Sequence, residues 1–265
     1  MPRCELHDLR ADYCQYFRAT HRRSAARLTW HDPRTVWAID HVAPPSPIDG
    51  IDDAALAVRD LSSGMQLDWL PVSDQTERVT TAALESLFLE QGPPLVLKSD
   101  SGSAFKSETF QAMLARYGVA WLPSPPRKPQ YNGGCEAGNH SLRIRTDHFA
   151  RATGCWTADC LEAARQQANA LTRPWGHLGP THSARWSARE PIDPQLRMQF
   201  AAAVEHHRRE ILVERKDTFH PQNKNHQRQV QRQAVRRALL ELGLLTITWR
   251  SIRLPINPRK WATFL

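Results

Sequence analysis

The alternation of apolar and polar positions divides the chain into segments with strand and helix periodicity. Residues 55–72 contain two strand patterns joined by a turn at Ser62, Ser63 and Gly64. Further short apolar segments typical of strands lie at 37–42 (WAIDHV), 95–99 and 119–122. Helical spacing is found at 76–92, 107–118, 136–153 and 157–172.

The order of these elements predicts an α/β fold. Three antiparallel strands are followed by helix, strand, helix and strand, which is typical of a mixed sheet with helices packed on its faces. Residues 123–134 hold four prolines and two glycines, so they are predicted to form a loop before the next helix.

Charge divides the chain further. Residues 1–34 form a short basic segment, 35–190 hold the predicted α/β core, and 191–265 form a basic C-terminal region with helices and two short strands at its end. Residues 206–237 contain nine Lys or Arg and three Asp or Glu, so much of the net charge of +8 lies there. This balance suits a polyanionic partner such as nucleic acid, although basic proteins without such a partner are common.

The composition argues against a disulfide-stabilised protein and against a secreted or membrane-spanning one. Five cysteines without a CxxC pair argue against a disulfide framework and favour a reducing cytoplasm. There is neither the apolar core of a signal peptide nor a run of roughly 18 apolar residues that would cross a membrane. We expect a soluble, intracellular protein.

Three acidic residues stand out because of their neighbours. Asp40 lies inside an apolar strand pattern, Asp100 follows another at the turn Ser101-Gly102-Ser103, and Glu136 follows a Gly-Gly turn at a predicted helix start. Taken singly, each is more commonly a helix cap or a surface charge. A carboxylate in an apolar strand is costly unless it is paired or binds a metal.

Brought together, three carboxylates repel one another, and a divalent cation removes that repulsion. Hard oxygen ligands suit Mg²⁺ or Mn²⁺. Two such ions can activate a water or a 3′-hydroxyl and stabilise the leaving oxygen of a phosphodiester, so no Ser, Cys or His nucleophile is needed.

The segments around these acids resemble the integrase core of the DDE transposase and retroviral-type integrase superfamily. WAIDHV resembles its Trp-x-x-Asp strand, and KSDSGSAFKSETF resembles its Ser-Asp-Asn-Gly-x-x-Phe segment. SPPRKPQYNGGCEAGNHSLR resembles its Ser-Pro-x-x-Pro-x-x-Asn-Gly-x-x-Glu segment, and 35 residues separate Asp100 from Glu136 as in the family. The resemblance extends over about 35–190.

The resemblance implies an RNase H-like fold, a mixed five-stranded sheet flanked by helices. The pattern of the residues beyond it adds a basic helical and short β C-terminal appendage. The resemblance also implies that Asp40, Asp100 and Glu136 are catalytic and bind Mg²⁺ or Mn²⁺. Residues expected to contact DNA are Arg127, Lys128, Arg143 and Arg145.

The activity implied is that of a bacterial insertion-sequence transposase, which cleaves DNA and joins the freed 3′ end to target DNA. The partners implied are element-end and target DNA, a second copy of the chain on that DNA, and a separate end-binding protein. The location implied is the bacterial cytoplasm, in association with the nucleoid.

Two departures keep an alternative open. Ser101 stands where the family usually has Asn, and a helix-turn-helix region like that of bacterial relatives is not found ahead of the core. The alternative is a catalytically inactive or truncated DNA-binding fragment that acts as a regulator. A ribonuclease on the same fold is a third interpretation, which the Asn132-Gly133 segment and the 35-residue interval disfavour.

Overall fold

The computed structural model describes residues 3–20, 22–125, 133–216 and 218–253. The helices are α1 (Arg3–Thr20), α2 (Glu77–Gln91), α3 (Ser103–Lys106), α4 (Glu108–Arg116), α5 (Gly133–Phe149), α6 (Ala158–Leu171), α7 (His182–Ser187), α8 (Pro194–Glu214) and α9 (Lys224–Glu241). The strands are β1 (Arg22–Trp30), β2 (Val36–Val42), β3 (Ala54–Asp60), β4 (Gln66–Val72), β5 (Val96–Ser99), β6 (Ala120–Pro123) and β7 (Leu245–Arg253).

Five strands form one mixed sheet in the order β4-β3-β2-β5-β6. The pairs β4–β3 and β3–β2 are antiparallel, whereas β2–β5 and β5–β6 are parallel. The parallel pairs need helical crossovers, and α2 and the α3–α4 segment supply them. This arrangement confirms the mixed sheet predicted from the order of elements and the five strands that the resemblance implies.

The two faces of the sheet are buried under different helices because successive side chains of a strand point to opposite sides. Trp37, Leu56 and Val58 pack in a cluster with residues of α2, α3 and α4. Ala55 and Ala57 pack in a second cluster with residues of α5 and α6. The second face is the one that carries the candidate site.

The helices α8 and α9 form a pair that packs through a small apolar cluster of Ile211, Val230 and Ala234. Asp193 begins α8 by accepting a hydrogen bond from the backbone N–H of Gln195. The pair accounts for the predicted helical content of the basic C-terminal region.

Contacts within the chain separate residues 30–245 from a second compact unit, which holds the described residues of 1–29 and 246–265. The strands β1 and β7 pair in a two-stranded sheet. The sequence predicted two short strands at the end of the chain, but β7 is one strand of nine residues. No glycine or proline interrupts it, so nothing in the local sequence forces a turn.

The prediction of three segments with boundaries at 34 and 190 stays a prediction. Among the described residues, none of the helices has the length and apolar character that a membrane crossing requires.

Candidate active site

The register of two neighbouring strands places two of the predicted acids together. Val36 pairs with Val96, and Ala38 pairs with Lys98, in the parallel β2–β5 ladder. Asp40 and Asp100 follow two positions after the last of these pairs, and the charge of Asp100 acts on Asp40. Asp40 points to the same sheet face as Val42, which packs under α5 and α6.

Glu136 lies in the first turn of α5, and its side chain is exposed. The negative charges of Asp100 and Glu136 both raise the pKa of Asp40, which burial raises most, to about 6. The three carboxylates are therefore close enough to interact electrically. Among the described residues, however, these three are not a group whose oxygens all lie within 4.8 Å of one another.

Asn139 is a site residue that the sequence interpretation missed. Asn139 belongs to α5, and its side chain is buried. Its Nδ2 donates to Oδ2 of Asp40 at 3.1 Å. It lies three positions after Glu136, so helical spacing places it on the same helix face. The next residue, His140, is exposed. The signal was the i+3 spacing from a predicted ligand.

Lys98 is a second missed residue, because a lysine in a short apolar strand gives no distinctive pattern. It is only 3% exposed. Burial lowers its pKa to about 8, and the charges of Glu136 and Asp40 partly oppose that shift. The cationic side chain of Lys98 thus lies near Asp40 and Glu136, and it offsets part of their negative charge.

The first turn of α5 also buries Cys135. Burial raises the pKa of this thiol to about 12, so it stays protonated and is not a nucleophile. One turn further, a Cβ at Gly138 would overlap the guanidinium of Arg59, which runs from β3 against the helix.

Asp100 is held by its own turn. Its Oδ1 accepts a hydrogen bond from the backbone N–H of Gly102 at 2.8 Å. Ser101, which replaces the usual Asn, donates its hydroxyl to the carbonyl of Ser124 at 3.2 Å. The serine therefore ties this turn to the end of β6.

His41 packs beside this turn on the opposite face of β2. Its ring stacks on Phe105, and its Nε2 lies 3.1 Å from Oγ1 of Thr80. Burial lowers the pKa of His41, while the charge of Asp100 opposes the shift. The side chain thus supports the strand end that carries Asp40.

The predicted DNA-contacting residues lie in different surroundings. Arg143 is exposed, and its guanidinium contacts the carbonyl of Ala43. Arg145 is half-buried and donates to Oγ1 of Thr172 at 3.1 Å, which directs it toward the end of α6. Arg127 and Lys128 lie outside the described residues. All four stay predictions.

Residues 31–129 match a family model described as Integrase core domain. The matched segment contains Asp40 and Asp100. The resemblance to the integrase superfamily is therefore confirmed over these residues, whereas an origin in a bacterial insertion sequence stays a prediction.

Two viral polyproteins are similar over part of the chain. The Pol polyprotein of Radiation murine leukemia virus (strain Kaplan) is 27% identical over 132 residues, which are 49% of this chain and 22% of that polyprotein. The Gag-Pol polyprotein of Feline leukemia virus is 32% identical over 85 residues, which are 32% of this chain and 5% of that polyprotein. The chain thus spans less than a quarter of the length of these curated relatives.

A solved structure shares the fold. It is the cryoEM structure of the simian T-cell lymphotropic virus intasome in complex with PP2A regulatory subunit B56 gamma, at 18% identity and a TM-score of 0.52. The superposition covers 66% of this chain and 63% of that chain. At this identity the likeness concerns the fold alone, and the predicted RNase H-like fold is confirmed.

Proposed function

We propose that this chain, with its match to the integrase core domain, cleaves DNA strands and transfers them to target DNA in a metal-dependent reaction. Asp40, Asp100 and Glu136 are the proposed catalytic residues. The observation that carries the proposal is the β2–β5 register, in which Asp40 and Asp100 follow two positions after the pair Ala38–Lys98, together with the charges of Asp100 and Glu136 acting on Asp40. The substrates and partners of the whole protein belong to the same proposal.

The donor set fits Mg²⁺ or Mn²⁺. All three proposed ligands are carboxylates, which these hard cations prefer to nitrogen or sulfur. Neighbouring negative charge contributes to the raised pKa of Asp40, and a bound divalent cation would favour its ionised form. When bound, the metal supplies activation of a water or 3′-hydroxyl and stabilisation of the leaving oxygen.

The residues of the chain hold these ligands in place. Asn139 holds one oxygen of Asp40, and the N–H of Gly102 holds one oxygen of Asp100. These two hydrogen bonds orient the aspartates, and the three carboxylates would move closer together when a cation binds. Lys98, below them, limits the repulsion among the acids.

DNA contact is proposed for the basic surfaces near and beyond the site. Arg143 is exposed on α5 seven positions after Glu136, where it suits contact with a phosphate. The basic residues of α8 and α9 suit contact with the DNA backbone without reading sequence. Arg127 and Lys128 are proposed from the resemblance. A homo-oligomer on DNA, a separate end-binding protein and a bacterial nucleoid-associated location complete the proposal.

The test is nicking of supercoiled plasmid by the purified full chain with Mg²⁺ or Mn²⁺. We expect Asp100→Asn to abolish nicking, because it removes a charged ligand. Asp53→Asn is the matched control, since Asp53 is an exposed aspartate away from the site. Equal nicking by the Asp100→Asn variant would overturn the proposal.

The same purified chain can distinguish an active enzyme from a catalytically inactive regulator. Strand transfer is measured with pre-cleaved DNA carrying the inverted repeats of the flanking locus and a plasmid target. DNA binding with no nicking or joining under either metal would favour the catalytically inactive regulator.

A further inference from the structure

A second cluster of metal-ligating side chains lies on α8, away from the carboxylates of the candidate active site. It consists of His206, His207 and Glu210, whose nearest ligand atoms all lie within 4.8 Å of one another. Nε2 of His206 is 3.3 Å from Oε1 of Glu210, and Nδ1 of His207 is 2.8 Å from Oε2. Helical spacing explains this, because residues three and four positions apart share a face.

The second nitrogen of His207 has a partner on the facing helix. Its Nε2 lies 2.6 Å from a carboxylate oxygen of Glu241 on α9. Without metal, both ring nitrogens of His207 face carboxylates and can donate to them. A metal would take the place of the proton on Nδ1, while the N–H of Nε2 still donates to Glu241. Metal-bound histidines almost always donate their other N–H to such a group, which fixes the tautomer and the ring.

The guanidinium of Arg237, which lies near Glu210, already forms an ion pair with Glu214. Both terminal nitrogens of Arg237 bond to the carboxylate of Glu214, at 2.8 and 2.9 Å, and one of them is 3.9 Å from Glu210. Hydrogen bonding from His207 lowers the pKa of Glu210, so this acid is charged at neutral pH. Glu210 therefore offers an ionised ligand.

The separations fit a small tetrahedral ion. Ligands about 2.05 Å from Zn²⁺ lie about 3.3 Å from each other in a tetrahedron. The separation of 3.3 Å from His206 to Oε1 of Glu210 matches that value, and the 2.8 Å from His207 to Oε2 would lengthen when a metal replaces the hydrogen bond. The ligand nitrogens of the two imidazoles lie within 4.8 Å of each other and would have to move somewhat closer. The side chain of His206 is exposed, so it has room to rotate.

We propose that His206, His207 and Glu210 bind a divalent transition metal, with Zn²⁺ the best fit, and that Glu241 positions His207. Two imidazoles favour Zn²⁺, Co²⁺ or Ni²⁺ over Mg²⁺, so this site differs in chemistry from the carboxylates of the candidate active site. Because Glu241 lies on α9, the bound metal would strengthen the contact between α8 and α9.

The experiment is titration of the full chain with Co²⁺, followed by displacement with Zn²⁺. The background is Asp40→Asn with Asp100→Asn, so that the acidic site does not contribute. We expect about one Co²⁺ per chain, with the intense visible absorption of a tetrahedral ion. His206→Gln and His207→Gln should each weaken binding at least about tenfold, and Glu241→Gln about 10–100-fold.

His148→Gln is the matched control, because His148 is an exposed histidine on α5. Circular dichroism checks that each variant is folded, and the exposed position of His206 makes that variant the safest one. In the same Asp40→Asn, Asp100→Asn background, Zn²⁺ should also raise the melting temperature, and adding His207→Gln should remove that rise. No binding, or equal binding by all variants, would overturn the proposal and leave the cluster as His–Glu ion pairs.

Discussion

At the residue scale, the amide of Asn139 is the contact that joins α5 to the strand of Asp40. It donates to the ionised carboxylate and so favours the charged form. A hydrogen bond of this kind orients a ligand without touching substrate, which makes Asn139 a positioning residue.

We expect Asn139→Ala to lower nicking at limiting Mn²⁺ about 10-fold or more, with partial recovery at high Mn²⁺. The loss should appear as a weaker apparent metal affinity, measured by nicking rate against Mn²⁺ concentration. His140→Ala, at the exposed neighbouring position, should behave like the parent chain. A uniform loss at every metal concentration would speak against a positioning role.

Asp60 is fully buried and lies at the end of β3. Burial raises its pKa from 3.8 to about 6, against hydrogen bonds from Ser63 and from the N–H of Arg34. The folded chain therefore keeps a proton that the unfolded chain releases between these values. Its stabilising contribution is full below the lower pKa and is lost as the pH rises through the higher one.

Asp60→Asn removes this titration. From about pH 4 to about pH 7 the parent chain should lose up to about 3 kcal/mol of unfolding free energy relative to the variant. Urea denaturation at several pH values measures it, with Asp53→Asn as the exposed control. Parallel pH curves for the parent and Asp60→Asn chains would contradict the prediction.

At the scale of elements, α5 lies so close to the sheet that the side chain of Arg59 packs directly against Gly138. Two side chains from the sheet, Arg59 and Gln66, fill the space that a Cβ would need. The glycine thus sets how near the helix, with Glu136 and Asn139, lies to β2.

Gly138→Ala should therefore destabilise the chain by about 1–3 kcal/mol, although alanine is the better helix former. Gly134→Ala is the matched control on the same helix, because its Cβ would lie 3.5 Å from the nearest atom, in Leu61. Urea denaturation of both variants decides the matter. Equal stability of the two would show that Arg59 moves aside at little cost.

At the scale of the whole molecule, the net charge of +8 acts on any polyanion. Between about 50 and 200 mM salt, affinity for unrelated duplex DNA should fall about a hundredfold, as expected for about four neutralised phosphates. Fluorescence anisotropy measures the slope of affinity against salt.

Replacing Arg208, Lys224 and Arg236 by Gln together tests where those phosphates bind, because all three side chains are exposed on α8 or α9. The slope should fall by about one for each phosphate that the variant no longer neutralises. Arg116→Gln, at an exposed arginine paired with Glu85, is the control. An unchanged slope in the triple variant would place the DNA-binding surface away from these helices.

The sequence predicted much of this molecule where the signal was local. The alternation around Asp40 predicted a strand through that residue, the turn at Asp100 predicted the end of another, and the structure has both. What it missed depends on tertiary packing. The burial of Lys98 and the bond from Asn139 to Asp40 appear only when α5 lies on the sheet. The short helix α3 was missed because four residues carry no periodicity.

The pairing of β1 with β7 has a consequence for the timing of synthesis. The ribosome makes everything between Trp30 and Leu245 before β1 can meet its partner. At typical elongation rates that interval is about 10–40 s. During it, the backbone groups that β7 will bond are open to other strands, including those of neighbouring nascent chains. Ribosomes that are closely spaced on one message would therefore favour exchange of β7 between copies.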